Sequence, residues 1–233
     1  MISFIIPCYN EEAYIRDCIV SIKQEVGSIT HEIIVVDNNC TDDTAKIATQ
    51  EGATVVVEKQ KGVVFARQRG YEFAKYNLIA NIDADSRLSK GWVQTALKNF
   101  KNPEVVAVTG PLIYDDVSKT VNVMTKLYYY VAWFSNNYIG VFVQGGNCLI
   151  RKDILDKANG YDTSIAFYGE DTMTAKRLQQ FGKIKFVMKL QLHSSPRRLK
   201  EQGIINTSWL YISNYFSVTF KNKSATNDYK DFR

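Results

Sequence analysis

Six short apolar runs rich in β-branched residues recur along the chain: Ile2–Ile6, Glu32–Val36, Ala53–Val57, Leu78–Ile82, Val105–Thr109 and Ile184–Met188. They are continuous rather than alternating, as expected of strands covered on both faces. Helical patterns lie between them. Asn10 can cap a helix with Glu11 and Glu12 in its first turn and Ile15, Cys18, Ile19 and Ile22 on one face. Thr41 can cap a second helix ending at Gly52, and Ser89 another. The β-α-β-α order predicts an α/β fold with a mostly parallel central sheet flanked by helices and right-handed crossovers. No linker or repeat divides the chain, so the expectation is a single domain over residues 1–220 and a polar, flexible tail over 221–233.

Of the 233 residues, 45% are hydrophobic and 23% charged, enough to bury a full core. The net charge of +5 fits an anionic ligand or an acidic membrane surface, but no basic block is dense enough for a nucleic-acid partner. Cys8, Cys18, Cys40 and Cys148 are scattered without metal-ligand spacing and read as reduced thiols of a cytoplasmic protein. Pro7, Glu11 and Glu12 close to the start speak against a signal peptide. No run of about eighteen uncharged apolar residues predicts a spanning helix.

Two later stretches are amphipathic and aromatic. Val117, Val121, Met124, Tyr128 and Val131 recur at helical spacing, with Tyr129, Tyr130, Trp133 and Phe134 alongside. From Gly203 to Phe220, Ile205, Trp209, Ile212 and Phe216 share a face. The first expectation is two helices packing apolar stripes on the core. The alternative is an aromatic rim that meets a lipid surface or a lipidic acceptor, with peripheral contact at the membrane's inner face.

Chemistry is expected at the strand ends. The fourth run stops at Asp83-Ala84-Asp85. Residues two apart in extended backbone point the same way, so both carboxylates can face one ligand. At the end of a strand in an open α/β sheet they meet the nucleotide-binding crevice, and their hard oxygens suit Mg²⁺ or Mn²⁺ carrying a diphosphate. The pattern alone also fits a solvated turn, since Asp42-Asp43 and Asp115-Asp116 occur too. Three further strand ends tip the balance. Pro7 stops the first ladder and exposes Tyr9, Asn10 and Glu11. Asp37 ends the second, where it can accept from a base or ribose, or from a helix start. After the third come Lys61 and Gly62, with Arg67 beyond, able to offset phosphate charge.

In this order and spacing the motifs resemble family 2 glycosyltransferases of the GT-A fold, the Rossmann-like nucleotide-diphospho-sugar transferase architecture. The resemblance runs from Ile2 to about His193. It includes Ile5 to Glu11, Val35 to Asn39, Lys61 to Gly70, Asp83-Ala84-Asp85, Gly145-Gly146-Asn147-Cys148-Leu149-Ile150-Arg151-Lys152 and Gly169-Glu170-Asp171. It implies a UDP- or GDP-sugar donor and an inverting transfer to an acceptor hydroxyl, the acceptor being a lipid or a cell-envelope glycan precursor. Pro7, Tyr9, Glu11 and Asp37 would line the nucleoside pocket, Arg67 would lie near base or diphosphate, and Asp83 and Ala84 would adjoin the donor. Asp85, with Asp83, would hold the divalent cation. Asp171 would be the general base, and Glu170 would orient the acceptor or its loop. His193 is either a further metal ligand, as in many GT-A enzymes, or an ordinary structural residue.

The chain also departs from the family. Arg67-Gln68 stands where Arg-Asn is common, and the Q-x-x-R-W signature of processive synthases is absent, which implies one sugar per acceptor. The Ser194-Ser195-Pro196-Arg197-Arg198 run is either a basic flap over the diphosphate or an exposed turn. Two rivals are a non-catalytic nucleotide-sugar-binding protein and a sugar-phosphate nucleotidyltransferase. The second would need a glycine-rich basic loop where Pro7 to Glu12 stand.

Overall fold

Each of the six predicted runs overlaps a strand, and all six strands join one sheet. The computed structural model describes residues 1–138, 142–164, 169–221 and 223–226. The first half runs β1 (Ile2–Cys8), α1 (Ile15–Val26), β2 (His31–Asp37), α2 (Thr44–Gln50), β3 (Thr54–Val57), α3 (Val63–Phe73), β4 (Leu78–Ile82), β5 (Ser86–Leu88) and α4 (Trp92–Asn99). Then follow β6 (Val105–Thr109), β7 (Leu112–Tyr114), α5 (Lys119–Tyr138), β8 (Asn147–Arg151), α6 (Lys152–Lys157) and α7 (Glu170–Leu178). The chain continues through β9 (Lys183–Phe186), β10 (Leu192–Ser194), α8 (Arg197–Gln202) and α9 (Ile204–Lys221).

The main sheet has the order β3-β2-β1-β4-β8-β6-β9. All its strands run the same way except β8, which is antiparallel to both neighbours. Alternate side chains of β1 feed opposite layers. Ile2, Phe4, Ile6 and Cys8 pack with α1 residues Ile15, Cys18, Ile19 and Ile22 and with Trp92 of α4. Ile5 turns the other way, toward Val64 and Ala66 of α3 and Ala175 and Leu178 of α7. Coverage on both faces is why these strands carry apolar residues at nearly every position. A smaller sheet, β5-β10-β7, sits beyond the ends of the main strands.

Strand β8 was not predicted, because polar Asn147 and Arg151 bracket only three apolar residues. Its place is fixed instead by a buried network. Asn147 Oδ1 accepts from Trp92 Nε1 at 2.9 Å, and its Nδ2 donates to the carbonyls of Pro111 and Leu190 at 3.1 and 2.8 Å. The expected caps are corrected as well. Helices α1, α2 and α4 start later than Asn10, Thr41 and Ser89, because a turn intervenes in each case. Asn10 adopts a positive φ of 53° and accepts from the backbone N–H of Thr41 at 2.8 Å, joining the loops after β1 and β2.

The expected inward stripes of α5 and α9 are corrected too. Helix α5 buries Tyr129, stacked on Phe186, and Ala132, while Met124 and Val131 are exposed. Helix α9 buries Thr207, Asn214 and Val218 and turns Trp209, Ile212 and Phe216 outward. The Ile205 side chain lies outside the described residues, as do residue 222 and the tail from 227 to 233. Residues 223–226 fold back on α9, where Ser224 Oγ and the Ala225 N–H donate to Asn214 Oδ1 at 2.7 and 2.9 Å.

Candidate active site

Strand order reverses at β1, with β2 and β3 on one side and β4 onward on the other. A crevice forms beyond the strand ends at such a point. Here it is a cleft of about 460 Å³ into which β1, α3, α7, α8 and the Asp83–Asp85 turn after β4 each contribute residues.

Its most constrained part surrounds Arg67. Helix α3 buries this side chain, 5% exposed, and its guanidinium spans three carboxylates that are distant in sequence. Nη1 donates to Asp171 Oδ1 at 2.7 Å and lies 3.8 Å from Glu170 Oε1, while Nη2 donates to Asp83 Oδ1 at 3.3 Å. Burial works against the Arg67 charge, but Asp171, Asp83 and Glu170 outweigh it and make the group more basic than usual. Burial pushes the Asp171 carboxyl up, against the pull of Arg67 and of the Gly145 N–H, which donates to Oδ2 at 2.9 Å. Burial and the neighbouring Asp171 charge push Glu170 up to about 7.

Two glycines let backbone approach these acids. A β-carbon on Gly145 would lie 1.8 Å from Asp171 Oδ1, and one on Gly146 would lie 1.8 Å from Asp83 Oδ2. Any side chain at either position would displace the carboxylate it faces.

Asp85 faces a different cation. Arg197, at the start of α8, donates through Nη2 to both Glu11 carboxylate oxygens at 2.7 Å and to Asp85 Oδ2 at 3.2 Å. The Ser194–Arg198 run therefore lies against the cleft and is not an exposed turn. Glu11 is buried, and Asp83 and Asp85 both line the cleft. Two hard carboxylates, each already drawing an arginine, fit a Mg²⁺ or Mn²⁺ ion. Among the described residues no group of three acid, histidine or cysteine side chains could hold a metal. An ion here would take its other ligands from substrate phosphates and water, as Mg²⁺ commonly does.

Pro7 and Tyr9 also line the cleft, and Lys61 Nζ sits 4.2 Å from the centre of the Tyr9 ring. Asn38 lines it as well. Its side chain donates to the carbonyls of Glu58 and Gln60 and accepts from the Gly62 N–H, each at 2.8 Å, and so fixes the loop before α3. Asp37 is not among the lining residues, and its carboxylate accepts from the Cys40 N–H at 2.8 Å. Nor does His193 line the cleft. It pairs with Asp115 Oδ1 at 3.0 Å, while its neighbour Ser194 takes the cleft side of β10. Arg67 is committed to carboxylates rather than left open for a diphosphate.

The structure thus brings Pro7, Tyr9, Glu11, Arg67, Asp83, Ala84, Asp85 and Asp171 to one cleft. Sequence reasoning gave no role to Asn38 or to the Gly145-Gly146 pair, though two adjacent glycines before a strand signal close backbone approach. None of the four cysteines is in a disulfide, and burial pushes the Cys148 thiol up to about 12 and Cys40 to about 11.

A family model described as glycosyl transferase family 2 matches residues 3–158. An uncharacterized glycosyltransferase of Mycobacterium bovis is 37% identical over 90 residues, 39% of each chain. One of Rickettsia typhi is 43% identical over 89 residues, 38% of this chain and 29% of that one. These matches therefore span well under half of the relatives' length. Among solved structures, a mannosyltransferase from Pyrobaculum calidifontis in complex with GDP-Man and Mn²⁺ superposes with a TM-score of 0.74 at 18% identity, covering 97% of this chain and 65% of that one. Glucosyl-3-phosphoglycerate synthase from Mycobacterium tuberculosis, in complex with Mn²⁺, UDP-glucose and phosphoglyceric acid, gives 0.63 at 23% identity, with coverage of 93% and 79%. At such identities the likeness establishes the shared α/β architecture.

Proposed function

The chain belongs to glycosyl transferase family 2, and on that premise we propose that it moves one sugar from a UDP- or GDP-linked donor to an acceptor hydroxyl, with inversion. The observation that carries this reading is the Asp171 carboxylate, held by Arg67 and the Gly145 N–H beside Asp83 in one cleft. An inverting transfer needs one base on the sugar face opposite the leaving group. Asp171 fills that role. Burial raises its proton affinity, and two hydrogen bonds fix its direction. Arg67 is a positioning residue that keeps Asp171 and Asp83 in register.

Asp85 and Asp83 would hold a Mn²⁺ or Mg²⁺ ion, which when bound neutralises charge on the departing nucleoside diphosphate. Pro7, Tyr9 and Lys61 form the nucleoside end of the cleft, and Glu11 steers Arg197 toward Asp85. The two solved relatives hold GDP-Man and UDP-glucose with Mn²⁺, which supports a donor of this class. On the acceptor side the lining turns aromatic, with Tyr128, Phe142, Tyr211 and Tyr215, and this favours a lipid or a lipid-linked cell-envelope precursor. Four cysteines outside any disulfide fit a reducing compartment, so the cytoplasm is the proposed location.

The decisive experiment compares wild type with Asp171→Asn using UDP- and GDP-sugars and Mn²⁺. Donor-dependent thermal stabilisation is expected in both, and sugar release or transfer only in wild type. Near wild-type turnover by Asp171→Asn would overturn the base assignment. Stabilisation by donor with no turnover in either protein would favour the non-catalytic binder.

A further inference from the structure

Helices α5 and α9 bury only a few apolar residues, Tyr129 and Ala132 on α5 and Val218 on α9 among the described side chains, and carry many more on their outward sides. On α5, Val123, Leu127, Tyr130, Val131, Phe134 and Tyr138 recur at steps of three and four, so they share one side, and each is more than half exposed. On α9, Trp209, Phe216 and Phe220 lie on one side with Ile212, and these three are also more than half exposed. The buried side of α9 holds the polar Thr207 and Asn214 beside Val218. Contiguous apolar surface of this kind marks an interaction site.

Charge indicates what covers it. Asp and Glu make up 24 of the 233 residues, yet neither occurs in α5 or α9. Lys119 and Lys126 lie one turn before Val123 and Tyr130 on the exposed side of α5, Lys221 ends α9 and Lys223 follows it. An apolar face edged by lysines and free of acids complements an anionic lipid surface. It suits a second copy poorly, because a two-fold interface would bring its lysines together with no acid on either helix to pair them. No helix among the described residues is long and apolar enough to cross a membrane, so the helices would lie in the interfacial plane.

We propose that the outward faces of α5 and α9 dock on an anionic bilayer surface. Met124 of α5 and Ile212 of α9 line the cleft and are themselves exposed, so the apolar surface continues to the cleft mouth. Docking there opens the acceptor side toward the lipid phase, a step that rests on the transferase reading above. The docking itself does not.

The intact chain carries its own probes. Trp92 is fully buried, whereas Trp133 and Trp209 are exposed. Vesicles of phosphatidylcholine with phosphatidylglycerol are expected to co-sediment the protein and shift its tryptophan emission to the blue, and phosphatidylcholine alone to do so much less. Binding should fall with added salt. Lys126→Ala should weaken partitioning about fivefold. Leu127→Glu with Phe216→Glu should abolish it while leaving donor-induced thermal stabilisation intact; should that double variant fail to fold, the wild-type lipid and salt series decides alone. Absence of co-sedimentation and of an emission shift would overturn the proposal. So would a lipid-free dimer in sedimentation equilibrium that the double variant dissociates, because the face would then belong to a second copy. Donor stabilisation without vesicle binding would leave the transferase reading standing, and vesicle binding without stabilisation by any nucleotide would do the reverse.

Discussion

The backbone N–H of Gly145 donates to Asp171 Oδ2 at 2.9 Å, and a β-carbon on Gly145 would lie 1.8 Å from the other carboxylate oxygen. The proposed base is thus aimed by a backbone N–H that can come this close because its residue has no side chain. Gly145→Ala must push the carboxylate aside. Misplacing a catalytic group by about an ångström costs on the order of 100-fold in rate. Turnover should drop by about that factor while donor-induced stabilisation persists, which steady-state kinetics and thermal shift together would check.

Asp171→Asn keeps the shape of the side chain but removes its proton affinity. A general base contributes roughly 100- to 10,000-fold, so kcat should fall within that range with little change in donor affinity. A parallel loss of donor binding would mean that Asp171 holds the donor instead.

Asp85→Ala leaves Arg197 paired with Glu11 but removes one of the two proposed cation ligands. Thermal stabilisation by UDP or GDP should lose its dependence on Mn²⁺, read as matching melting curves with and without the metal. A Mn²⁺-dependent shift that survived the substitution would place the ion elsewhere.

Arg67→Ala would strand Asp171, Glu170 and Asp83 beside one another. Removing one partner of a fully buried ion pair costs about 3–5 kcal/mol; because Asp171 and Asp83 are partly exposed, a loss of about 2–3 kcal/mol is expected in urea unfolding. Arg67→Lys should recover little of this, since a single ammonium cannot span both Asp171 and Asp83 as the guanidinium does.

Glu170 makes stability depend on pH. Its carboxyl titrates near 4.5 in the unfolded chain and at about 7 in the fold. Between those values the folded protein holds a proton that the unfolded chain has released, so stability falls as pH rises across this window and levels off above it. Glu170→Gln should flatten that decline and raise the melting temperature at pH 8 relative to wild type. An unchanged pH profile would show that Glu170 titrates normally.

Much of this protein follows from its sequence. Continuous β-branched runs specify buried strands, and the order of strands and helices specifies a mostly parallel sheet whose strand ends gather Pro7, Glu11 and Asp83 to Asp85 on one side. These are local rules of spacing and turn chemistry, legible without any partner. The same locality explains the misses. Strand β8 has only three apolar residues between polar ends, and its position depends on Asn147 meeting Trp92 and two distant carbonyls. His193 sits in a three-residue strand, too short for its facing to be read from a pattern, and it turned to Asp115 while Ser194 turned to the cleft. Helical periodicity likewise revealed the apolar stripes of α5 and α9 but not their direction. A stripe records that a helix has two faces, and only packing decides which face meets the core. The Arg67–Asp171 pair joins residues 104 positions apart, a separation at which no local rule operates. The sequence determined which chemistry the chain carries; tertiary packing decided which charges meet, because ion pairs and close backbone approaches depend on distances in space rather than along the chain.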